Sequence, residues 1–368
     1  MEFIADLHLH SPYSRATSPA MRLEGISAWA QRKGIALLAA SDFTHPAWFA
    51  ELSKKLEPAE PGLFRLRYPG RKEAYAPVPE NHRAEVRFLL STEVSCIYKK
   101  NGRCRKIHSL LWLPSLESAA RFNADLGKLG NIRSDGRPIL GLDSVRLFRL
   151  LKEADPAGVL IPAHAWTPHF SLFGAHSGFD TLEECFEDLS GEIFAIETGL
   201  SSDPPMNWRL AQLDRIALLS NSDAHSPAKL GREANLFGCE MSYAAIVAAL
   251  RSDDPALFRG TLEFFPEEGK YHFDGHRACH RRMTPAETRA HQGNCPACGK
   301  PVTVGVLHRV EELADHPEGR KSPKARPYES LVPLAEILSK VLDVGVNTRK
   351  VATQYDALLA AVGPEFFI

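Results

Sequence analysis

His8 and His10 stand at i and i+2 in the apolar run Phe3 to Leu9. On an extended chain both imidazoles point to one face while Leu7 and Leu9 point to the other. Isolated donors recur beside further apolar runs: Asp42 and His45 after Ile35 to Ala40, Glu93 after Val86 to Ser91, and His108 at the start of Ile107 to Leu113. His164 follows Val159 to Ala163, and Asp223 with His225 follows Ile216 to Leu219. Any one of these histidines alone is more often a packed or surface residue than a ligand. Asp42 and Asp223 each follow a serine at a strand-to-loop step, where a turn or helix cap is the bland account. Recurrence over six segments makes coincidence the poorer explanation. Imidazole and carboxylate suit zinc, manganese or iron, and a carboxylate can bridge two ions. Paired ions activate water and clamp the attacking and leaving oxygens of a phosphate ester, so ester hydrolysis is the chemistry this set serves most directly.

These donors need a scaffold that brings strand ends together. Seven apolar runs (those above and Ile193 to Ile196) alternate with helix-like stretches at Leu23 to Lys33, Leu116 to Leu129, Ser144 to Glu153, Leu182 to Leu189 and Met206 to Asp214, with Gly34 and Gly130 as stops. The alternation predicts an α/β fold with parallel strands and helices outside, a small barrel or a doubly wound sheet. In a parallel barrel, functional groups collect where strands end. Leu56 to Asn81 breaks the rhythm and holds five of the 26 prolines, the mark of a long excursion. Glu197 follows a strand and is a candidate for a supporting role in catalysis.

The 368 residues carry 44 Lys and Arg against 45 Asp and Glu, a net charge of -1, which argues against coating nucleic acid through bulk charge. The 44% hydrophobic content supports a sizeable core, and no apolar run approaches the ~20 residues of a membrane helix. The start lacks the basic stretch of an export signal, so a cytoplasmic location is expected. Charge is unevenly spread, however. Leu63 to His108 holds eleven basic residues against four acidic, and residues 269 to 330 hold eleven against seven. Such local excesses suit a phosphate backbone, the bland account being a solvated basic loop. Lys99, Lys100 and Arg103 are candidate contacts within a basic insertion at about 56–106.

After Phe265 apolar periodicity fades. His276, Cys279, Cys295 and Cys298 form an HxxC and a CxxC separated by fifteen residues, close to zinc-ribbon spacing. A structural zinc would replace the missing core of residues 266–330. His272, His280 or His308 are alternatives to His276 as fourth ligand, and a free thiol pair is the competing account. Cys96, Cys104, Cys185 and Cys239 read as packing residues. Helical patterning returns over 331–362, and the apolar end Phe366, Phe367 and Ile368 suggests a chain that continues further.

The strings Asp6-Leu7-His8-Leu9-His10-Ser11, Ser41-Asp42-Phe43-Thr44-His45, Thr92-Glu93, Pro162-Ala163-His164 and Ser222-Asp223-Ala224-His225 resemble the ordered motifs of the PHP (polymerase and histidinol phosphatase) family. The resemblance covers residues 1–265. It implies a distorted seven-stranded β/α barrel, up to three catalytic divalent metals (zinc, manganese or magnesium) and phosphoesterase activity. Many members have histidine where Phe43 stands, which makes the third metal the least supported. The further strings His10 to Ser18, Asp42 to Pro46, Phe170 to Gly174, Ser177 to Asp180 and Gly305 to Leu313 resemble the endonuclease Q family. That resemblance runs through 266–330 as the zinc module and 331–368 as a helical tail. It implies DNA repair by nicking 5′ of deaminated bases (hypoxanthine, uracil, xanthine) or abasic sites.

On that basis Arg15, just past the HxH strand end, is a candidate phosphate contact beside Ser14. An enzyme inspecting a base must take it out of the stack. Trp166, Phe170, Ser171, Phe173, Gly174 and Phe179 are the candidate wall of the base pocket, although phenylalanines are more often core. The competing functions are a small-molecule phosphatase of the histidinol phosphatase kind and a non-catalytic DNA-binding module. A clamp or repair partner is not readable from the residues.

Overall fold

In the computed structural model, residues 2–67 and 77–368 are described, so the basic positions Arg71 and Lys72 of the insertion lie outside the described residues. In chain order the first half runs β1 (Phe3–Asp6), α1 (Leu23–Lys33), β2 (Leu37–Ala40), α2 (Pro46–Lys55), β3 (Leu56–Pro58), β4 (Phe64–Leu66), β5 (Arg87–Lys100), β6 (Arg103–Leu113), α3 (Leu116–Leu129), β7 (Ile139–Leu140), α4 (Ser144–Ala154) and β8 (Val159–Pro162). It continues with α5 (Leu182–Phe186), β9 (Ala195–Glu197), α6 (Pro204–Asn207), β10 (Ala217–Leu219), β11 (Ala234–Phe237), α7 (Tyr243–Arg251) and β12 (Phe258–Glu263). Then come β13 (Asp274–His276), β14 (Arg281–Met283), α8 (Pro285–Ala290), α9 (Val306–Leu313), β15 (Tyr328–Ser330), α10 (Leu334–Leu342) and α11 (Arg349–Ala361).

The sheet is mixed rather than all parallel. β1, β2 and β5 run parallel, but β5 and β6 form one long antiparallel hairpin in register from Leu90 with Leu113 to Lys100 with Arg103. The sequence explains it: Asn101-Gly102, both at positive φ, supply the left-handed pair that a tight hairpin turn demands. β6 pairs antiparallel with β8, and β11 antiparallel with β1 and β12. β9 and β10 form their own parallel ladder. Alternate strand residues divide between two apolar clusters, Phe88 and Leu90 in one and Leu89 in the other, as the strand period of two requires.

The helices follow their predicted spans at α1, α3 and α4, and Gly34 ends α1 in the left-handed region at φ 85°. The predicted helix over Met206 to Asp214 is instead two short turns, because Pro204 and Pro205 open α6 and Leu210 is extended before the next turn. β15 adds parallel to β12, so the chain leaving the Cys-rich segment returns to the main sheet. No helix among the described residues is long and apolar enough to cross a membrane.

Candidate functional site

The strand ends deliver their donors to one place. Beyond β1 the chain stays extended: the Leu7 amide donates to Asn221 Oδ1 at 2.8 Å and the His10 amide to the Ala224 carbonyl at 3.1 Å. Leu7 and Leu9 are buried, one in each of the two apolar clusters, and His8 and His10 turn toward the donors of the other strands. Three donor atoms, from His8, His10 and Asp223, lie within 4.8 Å of one another, as do those of Glu93, His108 and His164.

Glu93 joins the two groups. Its Oε2 is 3.4 Å from His10 Nε2 and 3.6 Å from His8 Nε2, while its Oε1 is 2.6 Å from His108 Nδ1 and 3.0 Å from His164 Nε2. Fully buried with one oxygen on each side, this carboxylate is placed to bridge two ions. The fit to a cation can be tested on the protein atoms alone. His8 Nε2, His10 Nε2 and Asp223 Oδ1 are buried and face one another, with His10 Nε2 3.0 Å and His8 Nε2 3.8 Å from Asp223 Oδ1, and none makes a well-aligned hydrogen bond to a group outside the cluster, which convergent metal ligation would satisfy.

Each inner histidine is held from behind. His8 places Nδ1 3.0 and 3.1 Å from the two Glu197 oxygens, and Glu197 also accepts the His164 amide and the Asn221 side-chain amide. His10 Nδ1 is 3.3 Å from Asp42 Oδ1, and Asp42 Oδ2 accepts the Ser11 amide and the Ser14 hydroxyl. His164 Nδ1 is 3.1 Å from Thr167 Oγ1. Such partners fix the ring tautomer and orientation of a ligating histidine. Asp42, His164 and Asp223 all hold positive φ, at 60°, 28° and 47°, a backbone cost of the kind retained at functional sites.

The electrostatics fit a site made for cations. Burial opposes charge on His8 and His10, yet Glu197 and Glu93 on the one and Asp42, Asp223 and Glu93 on the other hold both well above the usual histidine range. Burial pushes His108 down to about 4 despite Glu93. Burial would raise Glu93, but His108, Arg137 and His10 hold it well below the usual carboxylate range. Asp223 is likewise lowered, against burial, by His10 and His8.

The sequence-predicted residues sort clearly by position. His8, His10, Glu93, His108, His164 and Asp223 converge. His225 stands beside them, its ring 4.5 Å from that of His10 and its Nδ1 2.9 Å from the Asp223 carbonyl oxygen. Asp42 and Glu197 lie behind the ligating rings, with Asp42 fully spent on His10, Ser11 and Ser14. His45 is apart: Nε2 is 3.0 Å from the Arg133 carbonyl oxygen and its ring stacks on Tyr13 at 4.4 Å. Arg15 points outward, its side chain 82% exposed and 3.4 Å from Asp135.

The proposed wall of aromatic residues divides. Trp166, Phe173 and Phe179 are core, with Trp166 Nε1 donating to Asn207 and Phe179 lying under Arg105. Ser171 is buried on the Thr167 carbonyl, and a Cβ on Gly174 would strike that same oxygen at 2.4 Å, so both shape the loop. Only Phe170 reaches the site, at φ 62°, its ring 4.8 Å from His108 and 5.2 Å from Lys106 Nζ. Of the basic insertion, Arg65 and Arg87 are paired with Glu57, Glu60 and Glu85, and Arg87 sits opposite Leu37 at the start of the sheet, away from the site. Lys99, Lys100 and Arg103 occupy the hairpin tip, where Lys100 pairs with Glu187.

A cavity of about 750 Å³ opens over the metal-type donors, lined on its far sides by Lys106, Arg137, Arg232, Lys270 and Tyr271. Arg137, 2.9 Å from Glu93 Oε2, and Arg232, whose Nε donates to the Ser222 carbonyl, were not signalled by the sequence pattern, since both lie in loops without periodicity. Asn221, one residue before Ser222-Asp223-Ala224-His225, was within reach of that motif.

A second cluster stands in the Cys-rich segment. His276, Cys279, Cys295 and Cys298 bring one donor each within 4.8 Å, with Cys298 Sγ 3.6 Å from His276 Nδ1. The Gly299 amide donates to the Cys295 carbonyl at 2.8 Å, the tight knuckle that CxxC-Gly implies. Two of the three alternatives are otherwise engaged: His308 is 2.6 Å from Asp274, and His272 Nδ1 is 3.0 Å from the Ser201 carbonyl oxygen; His280 is not among the four grouped donors. A four-donor thiolate and imidazole set fits tetrahedral zinc.

No family model matches the sequence. Among curated proteins, an uncharacterised protein of Methanocaldococcus jannaschii is 33% identical over 234 residues, 60% of this chain but only 28% of that protein, so the match spans under a third of that relative. The uncharacterised protein YqxK of Bacillus subtilis is 31% identical over 90% of this chain and 81% of its own length. Among solved structures, the lesion-specific endonuclease PfuEndoQ of Pyrococcus furiosus superposes with a TM-score of 0.83 at 32% identity, over 99% of this chain and 84% of that one. Endonuclease Q bound to a 27-mer duplex with an abasic lesion at its active site gives 0.84 at 31% identity, over 99% and 85%. With 99% of this chain superposing on these two structures at 31–32% identity, the chain belongs to the endonuclease Q family.

Proposed function

We propose that this protein is a DNA repair endonuclease that hydrolyses the phosphodiester 5′ of a deaminated base or an abasic site. The observation that carries the reading is the convergence of buried His8 Nε2, His10 Nε2 and Asp223 Oδ1 near a carboxylate shared with His108 and His164, beneath a cavity lined by cations. The bridging ladder hydrogen bond from Ala165 to Glu197 and the bridge between Leu9 and Ala224 support a distorted barrel, with β9 and β10 seated between β8 and β1. We take residues 1–265 as the catalytic domain, 266–330 as the zinc module and 331–368 as a helical tail.

His8, His10, Glu93, His108, His164, Asp223 and His225 would hold two or three divalent ions, and such ions supply an activated water and charge neutralisation at the phosphate. The chain's own part is orientation and electrostatics. Glu197 and Asp42 hold the His8 and His10 rings so that each presents Nε2 to the centre. Arg137 and Lys106 provide fixed positive charge beside the position of a phosphoryl group, where preorganised donors count most. Phe170 and Tyr271 offer apolar faces in the same cavity against which an extruded base would pack. Neither ring requires a particular base, which fits a range of lesions. The four cysteines outside the Cys and His cluster, Cys96, Cys104, Cys185 and Cys239, are unpaired, with Cys104 exposed, and this fits a reducing, cytoplasmic setting.

A phosphatase for a small metabolite would not need the Cys-rich module or so open a cavity. The test is a set of labelled duplexes carrying hypoxanthine, uracil, an abasic site or only normal bases, incubated with manganese or magnesium and run on a denaturing gel. A lesion-dependent nick abolished by EDTA is the expected result; metal-dependent release of phosphate from histidinol phosphate without nicking would overturn it.

A further inference from the structure

The two clusters are physically connected through the loop that carries His164 and Phe170. Between β8 and α5 this loop folds back on itself, with the Phe173 amide donating to the Ala165 carbonyl at 2.8 Å, Gly178 to Gly174 at 2.8 Å and Phe179 to Leu172 at 2.7 Å. It touches β6 at the site, where the His108 amide donates to the Phe170 carbonyl at 3.2 Å. On its outer side it meets a single arginine of the Cys-rich module. Arg309 of α9, its side chain 13% exposed, donates Nε–H to the Phe173 carbonyl at 2.9 Å and Nη2–H to the Phe179 carbonyl at 3.4 Å, and pairs with Asp180.

The helix bearing Arg309 is in turn fixed by Asp274. This fully buried carboxylate accepts the Gly305 amide at the start of α9 through Oδ1 and faces His308 through Oδ2, each at 2.6 Å. Asp274 opens β13, and the last residue of that three-residue strand is His276 of the Cys and His cluster. A short path of polar contacts thus runs from the metal-type cluster through Asp274, α9 and Arg309 to the loop that sets Phe170 over His108.

We propose that Arg309 and Asp274 are positioning residues, through which the structural zinc module holds the His164 and Phe170 loop in its working geometry. The part of this that concerns catalysis rests on the endonuclease reading. A guanidinium fits the task because its planar fork satisfies two carbonyls and a carboxylate at once, whereas an ammonium is a single point of charge. Displacing a positioning contact by an ångström or so costs about 100-fold in rate.

The experiment compares Arg309→Met, Arg309→Lys and Asp274→Asn in the full chain, with amide hydrogen exchange of residues 163–180 and single-turnover and steady-state nicking of an abasic duplex. Zinc content and exchange of β1, β2 and β5 report whether each variant is folded. We expect Arg309→Met to speed exchange of the Phe173, Gly178 and Phe179 amides by about 10-fold or more while the strands stay protected. The same variant should lower kcat by about 10- to 100-fold with KM for duplex within about 3-fold, and Arg309→Lys should restore part of both. Cys298→Ser, which touches no loop residue, should speed the same three amides. Unchanged loop exchange in Arg309→Met, or acceleration spread evenly over strands and loop, would overturn the proposal. If the unaltered protein nicks no lesion, the endonuclease reading falls while the exchange arms still decide the coupling.

Discussion

The two donor clusters are assembled by opposite means. The catalytic set draws its atoms from segments scattered between His8 and Asp223, buried at the ends of strands whose apolar faces pack into two extended cores. Its rings are oriented by Glu197, Asp42 and Thr167, so the site is preformed by a fold that has its own stability. The Cys and His set comes from the stretch between His276 and Cys298, with His276 and Cys279 on a hairpin of three-residue strands and Cys295 and Cys298 in the turn after α8, over an apolar cluster of Met283, Cys295 and Val302. That cluster is too small to offset the ordering of the segment around it. On the proposed reading, in the first region the fold makes the metal site, and in the second the metal would make the fold.

The largest effect that would break this contrast lies in the second region. Cys295→Ser, or removal of zinc by a strong chelator, should abolish protection of the amides between Phe273 and Gly305, because binding energies on the order of 10 kcal/mol accompany structural zinc. The main sheet should keep its exchange rates. A module that stays protected without metal would show that residues 266–330 have a core of their own. Next in size is His8→Ala, which should lower nicking by about 10³-fold or more while duplex affinity changes little and the melting temperature stays close to that of the parent. A cooperative loss of fold would mean that the catalytic cluster, too, depends on its occupants.

This difference also governs what could be read from the sequence. The clustering of the strand-end donors was legible because the strand period of two and repeated strand-end placement leave a pattern, as His8 and His10 show. The clustering of His276, Cys279, Cys295 and Cys298 was legible from local spacing alone. What escaped was non-local. Asp42 looked like a ligand, and only the tertiary arrangement puts its two oxygens on His10, Ser11 and Ser14. Arg137 reaches Glu93 from a loop without periodicity, and the aromatic loop divided into core and site residues because burial of Trp166, Phe173 and Phe179 depends on neighbours far along the chain. The antiparallel β5 and β6 hairpin was available in Asn101-Gly102, a turn signal obscured by the surrounding basic residues.

A smaller effect probes how firmly the first region is preformed. Glu197→Gln keeps the shape but removes the charge facing His8, and it should weaken catalytic metal affinity by about 10- to 100-fold. Zinc in the Cys and His cluster should be unaffected. Loss of metal from both clusters on this one substitution would erase the distinction between them.

The last comparison is one of pH. Burial lifts Glu263 to about 7 and, with Glu263 as neighbour, holds Glu233 well above the usual carboxylate range; Glu263 accepts the Ser220 and Thr261 hydroxyls inside the sheet. A carboxyl whose folded value is raised binds more protons in the folded state than in the unfolded one. Its contribution is therefore fully present below the unfolded value near 4.5 and is lost as pH rises through about 7. The zinc cluster has the opposite sign, since protons compete with metal for thiolate and imidazole, so acidification weakens it. Between pH 8 and pH 6 the sheet should gain stability while the module loses zinc. Glu263→Gln should remove most of the sheet's gain, on the order of 1 kcal/mol over this interval, and leave zinc release untouched. Urea melts followed at both pH values, with zinc release read by a colorimetric chelator, separate the two. Parallel loss of sheet stability and zinc on acidification would show that the two regions unfold as one unit.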